Sequence, residues 1–127
     1  MEREIRFRAW NIEESEMYHS SYLILEGELW SMWKRFSETN SLVNYKNGHL
    51  MQFTGLTDKN GKEIYEKDII NYDKVGFEGG LNGLVEWSGS GFYIAKHIPL
   101  VTLVEKFNSD VEVIGNLYES PELLEKN

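Results

Sequence analysis

The sequence contains no cysteine, which excludes a disulfide framework and any thiolate metal site. Small secreted domains commonly rely on disulfides to offset a thin core, so the absence points to a reducing compartment, the cytoplasm. Long apolar runs are missing as well. No uncharged stretch approaches the ~18–20 residues that a bilayer span requires, and the start, Met1 to Arg6, alternates charge with no apolar run behind it. We therefore expect neither a signal peptide nor a membrane anchor. Positive charge is scarce, with 13 Lys and Arg against 21 Asp and Glu, a net charge of −8 and a pI near 4.9. That balance repels a phosphate backbone unless the few cations gather on one face, which demotes generic nucleic-acid binding. Solubility is its plain meaning; the sharper one is an acidic surface that docks on a basic protein, or a decoy of DNA charge.

Catalytic patterns are equally thin. His19, His49 and His97 lie far apart and none has a metal-binding spacing. No glycine-rich phosphate loop, nucleophile elbow or triad pattern occurs. Glu63, Glu66 and Asp68 cluster, and paired carboxylates can serve acid–base work, but Lys62 and Lys67 lie among them and an acidic chain produces such groups by chance. We expect no catalytic residue, no metal, no cofactor and no enzymatic activity.

What is present suffices for one folded domain: 127 residues, 41% apolar and 13% aromatic. The opening segment alternates as a strand does, with Ile5, Phe7 and Ala9 on one face and Arg6, Arg8 and Trp10 on the other. Arg6, Arg8 and Trp10 combine charge with a stacking ring, a nucleic-acid pattern. Alternated with Glu2 and Glu4, they read more plainly as a solvated strand face or part of a self-association surface. After a polar break from Asn11 to Glu16, residues 17–25 read as one or two further strands ahead of the turn Glu26-Gly27-Glu28.

Leu29, Met32, Trp33 and Phe36 fit helical spacing as well as a sheet pattern, so a short helix is one reading of residues 29–36. Trp30 and Trp33 are candidate binding aromatics there, although clustered aromatics are more often core. A polar stretch closes at Asn47-Gly48. Leu50 to Leu56 reads as a strand, and Asn60-Gly61 predicts a tight reversal with positive φ. Glu63 to Tyr72 is a tight turn feeding an apolar strand, as in small SH3-like barrels. Leu84 to Trp87 and Phe92 to Ala95 make a hairpin around Ser88-Gly89-Ser90-Gly91. After Pro99, the apolar run Leu100 to Val104 precedes a polar turn, and Val111 to Tyr118 forms the last strand. Ser120-Pro121-Glu122 is a helix start, with Leu123 and Leu124 sealing one short turn. With regular turn signals and no long helical period, the chain reads as all-β or mainly β.

The stretch Leu50 to Ile70 resembles the signature of the YopX family of phages and prophages. So do Arg3 to Trp10, Gly83 to Trp87 and Val113 to Leu124, four blocks in the right order over most of the chain. The resemblance implies an N-terminal β-rich subdomain, placed at residues 1–48, an SH3-like barrel over 49–127 with a short C-terminal helix, self-association, and a phage origin. It supplies no catalytic residue. One departure is Lys67, which stands before Asp68 where the family usually has glycine; a turn needing positive φ resists lysine by ~1 kcal/mol. The leading expectation is a non-enzymatic binding or assembly module in the host cytoplasm, forming homo-oligomers or contacting a host or phage protein. The alternatives are a nucleic-acid-associated accessory protein using the arginine strand, or an acidic decoy.

Overall fold

The computed structural model describes residues 6–19, 22–33, 42–72, 82–94, 98–107 and 111–126. The fold is mainly β, with antiparallel pairing throughout the described ladders. Its contacts divide it into two compact units, Met1–Phe53 and Thr54–Asn127, so the division falls inside a strand, beyond the 48/49 subdivision read from the sequence. No helix among the described residues is long and apolar enough to cross a membrane.

In the first unit, β1 (Phe7–Asn11) lies between β2 (Glu16–His19) and the start of β6 (Gly48–Thr57). A second sheet has the order β3 (Tyr22–Glu26), β4 (Leu29–Trp33), β5 (Leu42–Asn44). Alternation decides what each sheet buries. Ala9 faces Tyr18 and Leu50 across its ladders, and these join Met32 and Val43 from the other sheet in one core, flanked by Phe7, Leu23 and Trp30. Gly48 is required by close approach: a Cβ there would sit 2.2 Å from Val43 Cγ2 and 2.8 Å from the Trp10 carbonyl oxygen.

The helix read as one possibility for residues 29–36 does not form over its described part. Leu29–Trp33 is a central strand, because β3 and β5 supply backbone partners on both sides and Trp30 and Met32 then point together into the core. Residues 34–36 lie outside the described set.

In the second unit, the end of β6 leads through a tight reversal into β7 (Glu63–Tyr65), its neighbour in the sheet. The Thr54 hydroxyl also donates to the Ile64 carbonyl at 2.7 Å. A five-stranded sheet follows in the order β11 (Ile98–Pro99), β10 (Phe92–Ile94), β9 (Asn82–Trp87), β8 (Asp68–Asn71), β12 (Glu112–Asn116), and curls into a half-barrel where the sequence leads us to expect an SH3-like barrel. Pro99 sits on the edge strand, where its missing donor does no harm. The run after Pro99 is an α-helix, α1 (Leu100–Phe107), in a chain read as having no long helical period. Leu100, Leu103 and Val104 are buried at helical spacing against Val85 and Ile94 of the core. The C-terminal segment Pro121–Lys126 forms the expected short helix, of the 3-10 type. The turn before it is capped by Asn116, whose Oδ1 accepts the Tyr118 and Glu119 amides at 3.0 and 2.9 Å.

Candidate functional site

The reversal between β6 and β7 is a three-residue loop closed by Asp58 and Lys62. The Asp58 amide donates to the Lys62 carbonyl at 2.9 Å and the Gly61 amide to the Asp58 carbonyl at 3.0 Å, with Gly61 at φ 79° as Asn60-Gly61 predicts. Asp58 itself is 3% exposed. Its Oδ1 accepts the Asn60 and Lys62 amides at 2.8 and 2.9 Å, and its Oδ2 accepts the Val113 amide at 2.9 Å. The carboxylate is a structural clamp.

The Glu63, Glu66 and Asp68 cluster is likewise committed. Asp68 is buried and accepts the Tyr65 amide at 2.8 Å, while Glu63 accepts the Tyr65 hydroxyl at 3.3 Å. Glu66 lies in the turn rather than on a strand face with Asp68. Lys67 adopts φ 68°, so the turn keeps the left-handed residue despite the lysine. Its amide donates to the Val85 carbonyl at 2.8 Å, its carbonyl accepts the Leu117 amide at 2.9 Å, and its ammonium meets Glu86 at 3.3 Å. Bonds from two directions hold the strained residue in place.

The arginine strand is placed as the alternation requires but is not a solvated face. Arg8 is 6% exposed, opposite His19 on β2 and buried Met51 on β6. Arg6 lays its guanidinium 4.6 Å from the centre of the Phe53 ring. Delocalised charge and long apolar stems let arginine be covered where lysine resists it. Trp10 shares this face, half-buried between Met17 and His49. Trp30 and Trp33 are not brought together: consecutive odd spacing on β4 sends Trp30 to the core side and Trp33, opposite Leu42, to the other.

The candidate surface that the sequence reading missed is the β3–β4 hairpin. Leu25 is 58% exposed and Leu29 45% exposed at its tip, with Ile24 beside them and exposed Tyr45 in the turn after β5. Ile24, Glu26, Leu29, Trp30, Ser31, Asn44 and Tyr45 line a cleft of about 170 Å³, smaller than the ~300–1,000 Å³ of drug-sized ligand pockets. Ile24 and Leu29 lie on one face of the hairpin and Leu25, opposite Trp30, on the other, so exposed apolar side chains flank the β3 edge on both faces, which suits a macromolecular contact better than a metabolite. The signal in the sequence is Leu23-Ile24-Leu25, three apolar residues in a row where a half-buried strand would alternate.

Comparisons with known proteins agree with this architecture. Protein EF1440 from Enterococcus faecalis, known from a crystal structure, is similar with a TM-score of 0.70 and 25% identity, covering 97% of this chain and 99% of that one. Protein yopX from Bacillus subtilis is similar in fold with a TM-score of 0.67 and 23% identity, over 96% of this chain and 97% of that one. No curated protein matches the sequence. A family model described as YopX protein matches residues 6–125, nearly the whole length, and the chain belongs to the YopX family.

Proposed function

We propose that this protein is a non-enzymatic assembly module of phage or prophage origin, working in the host cytoplasm through contacts between identical copies. The observation that carries the reading is the β3 edge. Among the described residues β4 is the only ladder partner of β3, and its outer edge is bordered by exposed Ile24 and Leu25. An apolar edge strand is a template for pairing with another chain. The segment is also self-complementary: antiparallel pairing centred on Ile24 sets Ile24 against Ile24 and Leu23 against Leu25 of the copy, the isologous arrangement of a two-fold dimer. Size-exclusion chromatography with light scattering tests the reading. An oligomer that falls to monomer on Leu25→Glu supports it, and a monomer at high micromolar concentration overturns it.

The nucleic-acid alternative has less support. Arg8 is withdrawn from any phosphate backbone by burial, and Arg6 is engaged by Phe53. The decoy reading needs rows of carboxylates, whereas the exposed acidic residues among those described belong to separate elements: Glu13 with Glu14 after β1, Glu26 with Glu28 at the β3–β4 reversal, Glu105 on α1, and Glu119 with Glu122 at the C-terminal turn.

A further inference from the structure

The sequence contains three Asn-Gly dipeptides, at Asn47, Asn60 and Asn82. In such a pair the glycine nitrogen can attack the asparagine side chain because no Cβ obstructs its approach. The structure treats the three very differently. Asn82 is tied twice, accepting from Asn71 Nδ2 at 2.9 Å and donating to the Leu123 carbonyl at 2.9 Å, and Gly83 is buried within β9 opposite Ile70. Asn47 accepts the Asn44 amide at 2.8 Å through its Oδ1, and Gly48 is packed against Val43 and Trp10 in β6. Asn60 and Gly61 are both exposed at the tip of the β6–β7 loop. The Asn60 side chain makes no hydrogen bond to the described residues, and the space beside Gly61 is open.

We infer that Asn60–Gly61 is a site of spontaneous deamidation that loosens the Asp58 clamp. The Gly61 nitrogen, having given its proton to solvent base, attacks Asn60 Cγ. The bond from Cγ to the side-chain nitrogen breaks, ammonia leaves with a proton from water, and a five-membered imide closes. Water then opens the ring, yielding aspartate if the bond from Cγ to the Gly61 nitrogen is cut, or isoaspartate if the main-chain bond is cut. No oxidant or reductant takes part.

The fold slows this chemistry and is damaged by it. The Gly61 amide is held by the Asp58 carbonyl, so the reactive form is the opened loop, and the folded protein reacts more slowly than a free peptide of residues 57–63. Either product adds a carboxylate beside the buried Asp58. The isoaspartyl product also adds a methylene to a loop whose closing bonds, Asp58 to Lys62 and Gly61 to Asp58, depend on a fixed backbone count. Because Asp58 also holds the Val113 amide, the damage extends to β12.

The test is to age the folded protein in mildly alkaline buffer, digest it, and locate one-dalton mass gains by fragment spectra. The expected result is a gain at Asn60 well ahead of Asn47 and Asn82, slower than in the peptide, with a falling melting temperature. The Asn60→Ser variant should show neither the gain nor the loss of stability on ageing. A gain first at Asn47 or Asn82 overturns the inference. So does an unmodified Asn60 after the peptide has reacted to completion, or an equal stability loss in Asn60→Ser.

Discussion

Asp58 and Val113 stand fifty-five residues apart, yet the Asp58 carboxylate accepts the Val113 amide at 2.9 Å. The contact falls where β12 needs it. The register of β12 against β8 shifts between Val113 and Gly115, and a side chain from the β6–β7 loop satisfies a backbone donor beside that irregularity.

Asp58→Asn keeps the shape but replaces one carboxylate oxygen with a donor, so an N–H must face an N–H on one side of the clamp. A loss of about 2 kcal/mol is expected, rising to about 3 kcal/mol or more for Asp58→Ala, which leaves three backbone amides without their acceptor. Denaturant unfolding of both variants checks this. Near-wild-type stability of Asp58→Ala would show that the clamp is decorative.

At Lys67 the expected ordering of stability is glycine equal to or above lysine, with valine far below. Glycine removes the left-handed penalty but gives up the half-exposed pair with Glu86, which is worth about 0–1 kcal/mol, and makes the unfolded chain more flexible, so the net change is small. Valine cannot easily adopt φ 68°, and Lys67→Val should cost about 2 kcal/mol. Thermal melts of the two variants decide the matter, and a tolerated valine would mean that the turn relaxes to negative φ.

Gly48→Ala should cost about 2–3 kcal/mol, because the new methyl meets a buried Val43 methyl and the backbone of β1 rather than the loose end of a side chain. Circular dichroism melts give the size of the effect. Shrinking the neighbour in the pair Gly48→Ala with Val43→Ala should recover only part of it, since the Trp10 carbonyl cannot move without opening the β1–β6 ladder.

The strands and their turns were legible where local chemistry decides them. Asp58 to Lys62 carries its reversal in Asn60-Gly61, and Phe7 to Asn11 carries its two faces in alternation. What covers a face is another matter: nothing local to Arg8 says that buried Met51 will stand opposite it on β6 or that its own side chain will be buried. The helix at Leu100 escaped because Val101, Thr102 and Val104 favour strands and two turns give the period little room, while packing of Leu100 and Leu103 decides the outcome. Leu29–Trp33 was ambiguous for the converse reason, since its strand character comes from partners on β3 and β5. Among the candidate aromatics, Trp30 was visible as a residue type, but its assignment to the core needed the direction of its side chain.

That assignment separates surface from core by measurement. Trp30 packs against the Ala9, Tyr18, Met32 and Val43 cluster, so Trp30→Ala should lose about 2–4 kcal/mol, somewhat less than a fully buried tryptophan because one side of the ring borders the cleft. Leu25 is 58% exposed, so Leu25→Glu should leave the stability of the monomer within about 0.5 kcal/mol while placing a carboxylate on the β3 edge where we propose that copies pair. Measured together by urea unfolding and light scattering, the two variants should move opposite readouts: Trp30→Ala the unfolding midpoint at high dilution, Leu25→Glu the mass in solution. If Leu25→Glu leaves the mass unchanged, the β3 edge is not where copies meet. If Trp30→Ala leaves stability unchanged, Trp30 belongs to the exposed surface after all, and the cleft it borders becomes the place to look for the partner.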